Sequence, residues 1–468
     1  MKVSTIRRRS VVSFLRTWRE LKGTARHKFS GEVYPDLPRE DLDYLHRLMA
    51  ESVEAKGGEV SARIRAEELG IVYRRLSKTG RVRFLRKLAR DFNFENDALI
   101  PNLTRLKTAR NESERMDAIQ AVRESLISPR MQILSQFNTF QDGFKFLVDM
   151  RADLLALSVN DAYLKGLEAD LKYLLKSWFD VGLLDLEEIN WNSPASLLEK
   201  LIVYEAVHTI SSWSDLKNRL DSDRRCFAFF HYKMPNEPLI FIEVALTKGM
   251  VESVQLLLDE RSPVGNPRET DTAIFYSISN AQKGLAGINL GNFLIKQVVA
   301  KLSSELKNIK TFATLSPVPG FRKWLDPLLE KGNESLLAPT DVSAVNRLSP
   351  EKNAARSLLA LLHGPWHKDE TASEVLKGPL MSLAARYLLL EKKAKRALDP
   401  VANFHISNGA RLERINWLAD TSSKGMQESA GIMVNYLYTL SHIEENHEAY
   451  ATEGKIAFSK QVGAWLRE

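Results

Sequence analysis

The stretch TAIFYSISNAQKGLAGINLGNFLIK (272–296) reads in three parts. Residues 272–279 are rich in β-branched and aromatic side chains, the composition of a strand. GLAGIN (284–289) has two glycines and no periodicity, so the chain turns there. From Gly291 to Lys307 apolar residues recur every three or four positions, which predicts a long amphipathic helix. A loop that opens a helix presents unpaired backbone N–H groups and the positive end of the helix dipole, a place where phosphate binds. Glycine lets those N–H groups approach an anion with no Cβ in the way. The same residues also suit an ordinary glycine-rich cap, and the loop alone does not choose between the two.

Working outward, CFAFFHY (226–232), LIFIEVALT (239–247) and TFATLS (311–316) have the same strand character, and Met234 to Pro238 reads as a hairpin turn. Strands are expected again at Phe404 to Ile406 and at Gly431 to Tyr438. WNSPASLLEKL suggests a helix N-cap at Ser193 with Pro194 at the first helical position. This mixed order predicts an α/β or α+β domain over 191–468, with residues 328–395 as a helical insertion. Before it, from about 38 to 190, the spacing is helical. Leu42, Leu45, Leu48, Met49 and Val53 share one face, as do Leu164, Leu167, Leu171 and Leu174. Residues 1–190 are therefore expected to form an all-helical domain joined by short polar turns such as Asn111-Glu112-Ser113.

The chain has 468 residues, 44% hydrophobic and 27% charged, which fits a globular protein of two or three domains. No apolar run approaches a membrane span, so no membrane partner is expected. The single cysteine, Cys226, excludes an intramolecular disulfide and fits a reducing compartment. The net charge of +7 is local: residues 1–30 hold nine Lys or Arg against Glu20 alone, and the rest of the chain sums to −1. That distribution argues against a nucleic-acid-binding surface. The basic segment reads either as a mitochondrial transit peptide or as a first helix with Val12, Leu15, Trp18 and Leu21 on one face. A cytoplasmic location is expected, or the mitochondrial matrix if the segment is a transit peptide.

His363 and His367 are separated by Gly364 and Pro365, which break the helix that a His-x3-His metal site needs, and no cysteine cluster supports zinc, so no metal is expected. Ser316 closes a strand and is followed by Pro317, Val318, Pro319 and Gly320, a rigid turn that would fix its hydroxyl. No G-x-S-x-G elbow surrounds it, which argues against a serine nucleophile. His405 lies between Phe404 and Ile406. Taken alone, Ser316 reads as a turn residue and His405 as a hydrogen-bonded strand residue.

Three segments, PVANFHISNGARLERINWLADTSSKGMQESAGIMVNYLY (400–438), FYSISNAQKGLAGINLGNFLIK (275–296) and TFATLSPVPGF (311–321), together resemble the malonyl-CoA decarboxylase family in order and spacing, over about 190–440. The resemblance implies an α+β fold: an all-helical N-terminal association domain, then a GNAT-like α/β C-terminal catalytic domain with a helical insertion. It implies conversion of malonyl-CoA to acetyl-CoA and CO2, with Ser316 and His405 as the catalytic pair and Tyr438 as a hydrogen-bond donor to it. Ala286, Gly287, Ile288, Asn289, Leu290, Gly291 and Asn292 would hold the coenzyme A ester. GLAGIN is similar to the pyrophosphate loop of GNAT-like acetyltransferases, with Gly284 where that loop has Gln or Arg and Asn289 where it has a second small residue. Ser277 could face the thioester and Arg414 could hold a carboxylate or phosphate, or Arg414 could be structural. His208 reads as a structural histidine on a helix. No cofactor is implied, because the thioester is its own electron sink. A homo-oligomer, dimer or tetramer, is expected. The rival readings are a GNAT-like acyltransferase and a non-catalytic malonyl-CoA sensor.

Overall fold

The computed structural model describes residues 33–54, 58–94, 96–288, 291–349, 351 and 353–466. The basic segment at 1–30 lies outside the described residues, as do Asn289 and Leu290. Two compact units form, and each is described in turn. The first holds the described residues up to Asp180 together with Gln282–Ile288; the second holds Val181–Ala281 and the residues from Asn289 onward.

The first unit is helical. Its helices span Arg39–Val53, Glu59–Arg75, Lys78–Asp91, Asn96–Thr108, Glu112–Ser125, Pro129–Phe137, Gly143–Leu157 and Ala162–Trp178. The helical spacing seen in the sequence becomes the core: Leu45, Met49, Leu164, Leu167 and Leu171 are all buried. Tyr73, Phe84, Phe137 and Phe146 add edge-to-face ring contacts. Side-chain caps start several helices, with Ser77, Asn111 and Asp161 each accepting from backbone N–H groups of the first turn. The 282–288 loop belongs to this unit. A Cβ on Gly284 would stand 1.8 Å from the Val148 carbonyl oxygen, so only glycine permits that approach. The buried Arg151 guanidinium donates to the carbonyls of Gly284 and Ala286 and pairs with Glu168 at 2.8 Å.

The second unit is built on a mixed sheet. Its strands are β1 (Leu184–Ile189), β2 (Arg224–His231), β3 (Ile240–Thr247), β4 (Thr272–Asn280), β5 (Thr311–Thr314), β6 (Ser316–Pro317), β9 (Arg411–Asn416) and β10 (Met433–Leu437). A separate small hairpin joins β7 (Lys392–Lys393) and β8 (Arg396–Ala397). The order is β1-β2-β3-β4-β5-β10-β6, with β9 also on β10. The β4–β5 pair is parallel, connected through the helix Gly291–Glu305, and the other pairs are antiparallel. β2, β3 and β4 are buried along nearly their whole length, which explains their unbroken apolar runs. Helices Pro339–Leu348, Ala354–Leu362 and Glu370–Leu389 occupy the stretch 328–395 expected to be a helical insertion, and the helix Phe321–Glu330 runs into its start. The architecture is thus a helical N-terminal region followed by a mixed-sheet domain.

Three local expectations are corrected. Residues 400–407, expected to contain a strand around His405, form a helix. Asp399 caps it by accepting from the Val401 and Ala402 N–H groups, and Pro400 fits the first helical position because it has no N–H to leave unpaired. Leu184–Ile189, read as the end of the helical region, is an edge strand on β2. His208 lies beyond the helix Ala195–Tyr204, in the loop that follows it.

Candidate active site

Ser316 and His405 come together although 89 residues separate them. β5 ends at Thr314, and after Leu315 the chain pairs again as β6, with Ser316 opposite Val434 of β10. The turn through Pro319 and Gly320 then enters the helix Phe321–Glu330. From the other side, the 400–407 helix carries His405 to the same place. Its Nε2 lies 3.1 Å from Ser316 Oγ, and its Nδ1 lies 2.8 Å from the Tyr438 hydroxyl. The imidazole stacks on the Tyr436 ring, with centroids 4.6 Å apart. Ser316 also donates to Thr314 Oγ1 at 2.9 Å.

All of these groups are buried, and the electrostatics follow from that. Burial pushes His405 down to about 3, because an imidazolium there would be stripped of water. Burial pushes the Tyr438 phenol well above its ordinary value, so it stays protonated. The site in the free protein is therefore a line of neutral groups, each with hydrogens to give. It opens on a cavity of about 240 Å3. Val207, Ile240, Phe275, Ile278 and Phe404 make its walls largely apolar, and Ser316 and His405 line it together. Such a chamber strengthens any hydrogen bond made to a charge developing inside it.

Ser277 and Arg414 are engaged with the protein itself. Ser277 Oγ lies 2.8 Å from Glu205 Oε2, and Ser279 Oγ donates to the same oxygen. Glu205 in turn accepts from the Val207 and His208 N–H groups, each at 2.8 Å, and so holds the loop whose Val207 lines the cavity. Lys424 also supports that loop, donating to the Ala206 carbonyl at 2.7 Å. Arg414 binds Asn435 Oδ1, Glu252 and the carbonyls of Met250 and Val251, bracing β9 and β10. Lys296 pairs with Glu444. In the glycine loop, the N–H groups of Leu285, Ala286 and Ile288 bond within the loop. Gly287 has φ +70°, a conformation natural to glycine. Gly291 and Asn292 open the helix Gly291–Glu305.

Sequence reasoning missed Thr314, Asp399 and Glu205. Asp399 had a readable signal, since Asp followed by Pro is a helix-start pattern. Thr314 and Glu205 gave no local sign of their roles, because the partners that fix those roles, Tyr436 for one and Ser277 and Ser279 for the other, lie far away along the chain.

The chain as a whole is similar to known proteins. The description "Malonyl-CoA decarboxylase C-terminal domain" matches residues 182–468, and "Malonyl-CoA decarboxylase N-terminal domain" matches 92–179. The mitochondrial malonyl-CoA decarboxylase of Anser anser anser is 38% identical over 403 residues, covering 83% of this chain and 80% of that protein. The mitochondrial enzyme of Rattus norvegicus is 36% identical, with 82% and 81% covered. The crystal structure of malonyl-CoA decarboxylase from Rhodopseudomonas palustris superposes with a TM-score of 0.82 at 39% identity, over 90% of this chain and 98% of that one. That from Agrobacterium vitis gives 0.82 at 39%, over 91% and 100%. Both domains match in order, and the likeness in sequence and fold extends over most of the length: this chain belongs to the malonyl-CoA decarboxylase family.

Proposed function

We propose that this protein is a carboxy-lyase that converts malonyl-CoA to acetyl-CoA and CO2. The observation that carries the reading is the Ser316–His405 pair on the wall of a largely apolar cavity, with Tyr438 hydrogen-bonded behind His405, in a chain of this family. The reaction sets a defined task. The bond from Cα to the carboxylate breaks, CO2 leaves, and the electron pair is held as an enolate on the thioester oxygen until Cα takes a proton. Hydrogen-bond donors aimed at such an oxygen are worth about 2.7 to 4 kcal/mol each. A positioned acid adds roughly 10² to 10⁴-fold. Ser316 and His405 supply both kinds of group, and the apolar walls keep water from competing with them. His405 enters the reaction neutral, so the proton comes from a hydroxyl or a neutral imidazole N–H.

Ala286 to Asn292 are assigned to the coenzyme A ester by the same reading. The chain is inferred to associate as a dimer or tetramer through its helical unit, and to work in the cytoplasm or the mitochondrial matrix. Incubation of the purified protein with malonyl-CoA alone is the test. Acetyl-CoA and CO2 formed in equal amounts without an acceptor support the proposal. Release of coenzyme A only when an amine is added would instead make it an acyltransferase, and binding without turnover a sensor.

A further inference from the structure

Tyr438, His405, Ser316 and Thr314 form one directed line of hydrogen bonds. Each hydroxyl has one proton to give, and a neutral imidazole has one N–H. The Ser316 hydroxyl donates to Thr314 Oγ1 at 2.9 Å, so toward His405 Nε2, 3.1 Å away, its oxygen accepts. Nε2 then carries the imidazole proton, and Nδ1 accepts from the Tyr438 phenol at 2.8 Å. In the reverse direction Nδ1–H would donate to the phenol oxygen, Ser316 would donate to Nε2, and Thr314 would have to donate to Ser316, opposite to the hydrogen bond found.

Thr314 can accept because of a fault in the sheet. The register of β9 and β10 shifts between Asn435 and Tyr436. There the Tyr436 N–H turns onto Thr314 Oγ1 at 3.1 Å, and Asn435 Nδ2 holds the Thr314 carbonyl at 2.7 Å. The threonine is fully buried and clamped at both its side chain and its backbone.

We propose that Thr314 is a positioning residue that sets the direction of this line, holding the Ser316 proton in the resting site so that His405 is kept with its hydrogen on Nε2. This rests on the Ser316/His405 reading above. When the enolate forms, the serine O–H exchanges Thr314 for Cα. The enolate electron pair takes the serine proton, the Nε2 proton replaces it on Oγ, and the phenol proton follows to Nδ1. After product leaves, the phenolate takes back the Nδ1 proton while Nε2 takes the serine proton and water in the cavity reprotonates Oγ, departing as hydroxide, so the hydrogen returns to Nε2. Without an acceptor at 314 the serine proton turns to Nε2, and the line reverses into a form that has no Nε2 hydrogen to pass on.

The test uses the full chain labelled with 15N-histidine, with His405→Asn to assign the His405 signals. The expected spectrum has the hydrogen on Nε2 in the wild type, and a shift toward Nδ1 in Thr314→Val. Thr314→Val is also expected to lower kcat roughly 10²- to 10³-fold with KM unchanged, as for loss of one oriented donor, and Thr314→Ser to restore it. A wild-type Nδ1 hydrogen, or normal kcat in Thr314→Val, overturns the proposal. Should Thr314→Val not fold, the wild-type spectrum still decides. Normal turnover in Ser316→Ala would sink the underlying site instead, whereas a dead Ser316→Ala beside a normal Thr314→Val sinks the role of Thr314 alone.

Discussion

Asp399 accepts the Gly320 N–H at 3.2 Å with one carboxylate oxygen, while the other caps the helix that carries His405. One side chain thus ties the turn after Ser316 to the start of the His405 helix. A Cβ on Gly320 would fall 2.1 Å from the Tyr387 hydroxyl, so the turn can come this close only as glycine. Asp399→Ala removes the cap, at about 1 to 2 kcal/mol. It also frees Ser316 and His405 to drift apart, and a misplacement of about 1 Å can cost about 10²-fold in rate. Thermal unfolding and steady-state kinetics should show both losses, with Asp399→Asn milder in each. An Asp399→Ala enzyme with normal kcat would mean that the two segments keep their spacing without this link.

Ser316→Ala and His405→Asn are each expected to lower kcat by roughly 10² to 10⁴-fold, the contribution of a positioned acid. Neither change alters the bulk of the cavity greatly, so acetyl-CoA should still bind with wild-type affinity by calorimetry. The double variant should be little worse than either single one, because the two groups act as a unit. Additive losses would place them in separate roles.

The depressed pKa of His405 makes stability depend on pH. In the fold it titrates near 3; unfolded, its reference is about 6.5. As pH falls the unfolded chain therefore binds this proton first. The contribution is fully present above about pH 6.5 and is lost toward pH 3, at up to about 1.4 kcal/mol per pH unit. His405→Asn lacks this term, so any stability advantage of the wild type should shrink as the pH is lowered from about 7.5 to 5. A wild-type-minus-variant difference that stays flat across that range would show that His405 is not held neutral by burial.

Much of this fold was legible because strands buried on both faces, such as β2, β3 and β4, are long apolar runs, and because the leucines at helical spacing fall on core faces. β1 was missed because its outer positions are Asp185, Glu187 and Glu188, so charge on an edge strand resembled a helix surface. The helix at 400–407 was missed for a different reason: Phe404-His405-Ile406 has strand-like composition, and the Asp399-Pro400 start signal was passed over. Within the site, Ser316 and His405 were visible through family resemblance. Thr314 was not, since its role depends on a register shift more than a hundred residues away, which no local pattern encodes.

Arg219 offers a test of how the cavity wall is held. It is buried, binds Asp215 at 2.7 Å and Glu243 at 3.1 Å, and donates to the carbonyls of His208 and Thr209, just past Val207. Burial raises the Glu243 carboxyl to about 8 even with the guanidinium pulling it down. Arg219→Met strands these carboxylates and should cost about 3 to 5 kcal/mol. The loss should also grow with pH. A carboxyl whose folded pKa is raised supports the fold below its unfolded value near 4.5 and withdraws that support as pH climbs through the folded one, and removing Arg219 raises the folded value further. Denaturant melts at about pH 7 and about pH 9.5, below and above the wild-type folded value, should therefore separate the variant from the wild type more widely at the higher pH, and Glu243→Gln added to Arg219→Met should narrow that gap. With the loop beyond Val207 released, KM for malonyl-CoA should rise more than kcat falls, because Arg219 touches the wall and not the hydrogen-bond line. An equal gap at both pH values would mean that Glu243 is not the group left stranded.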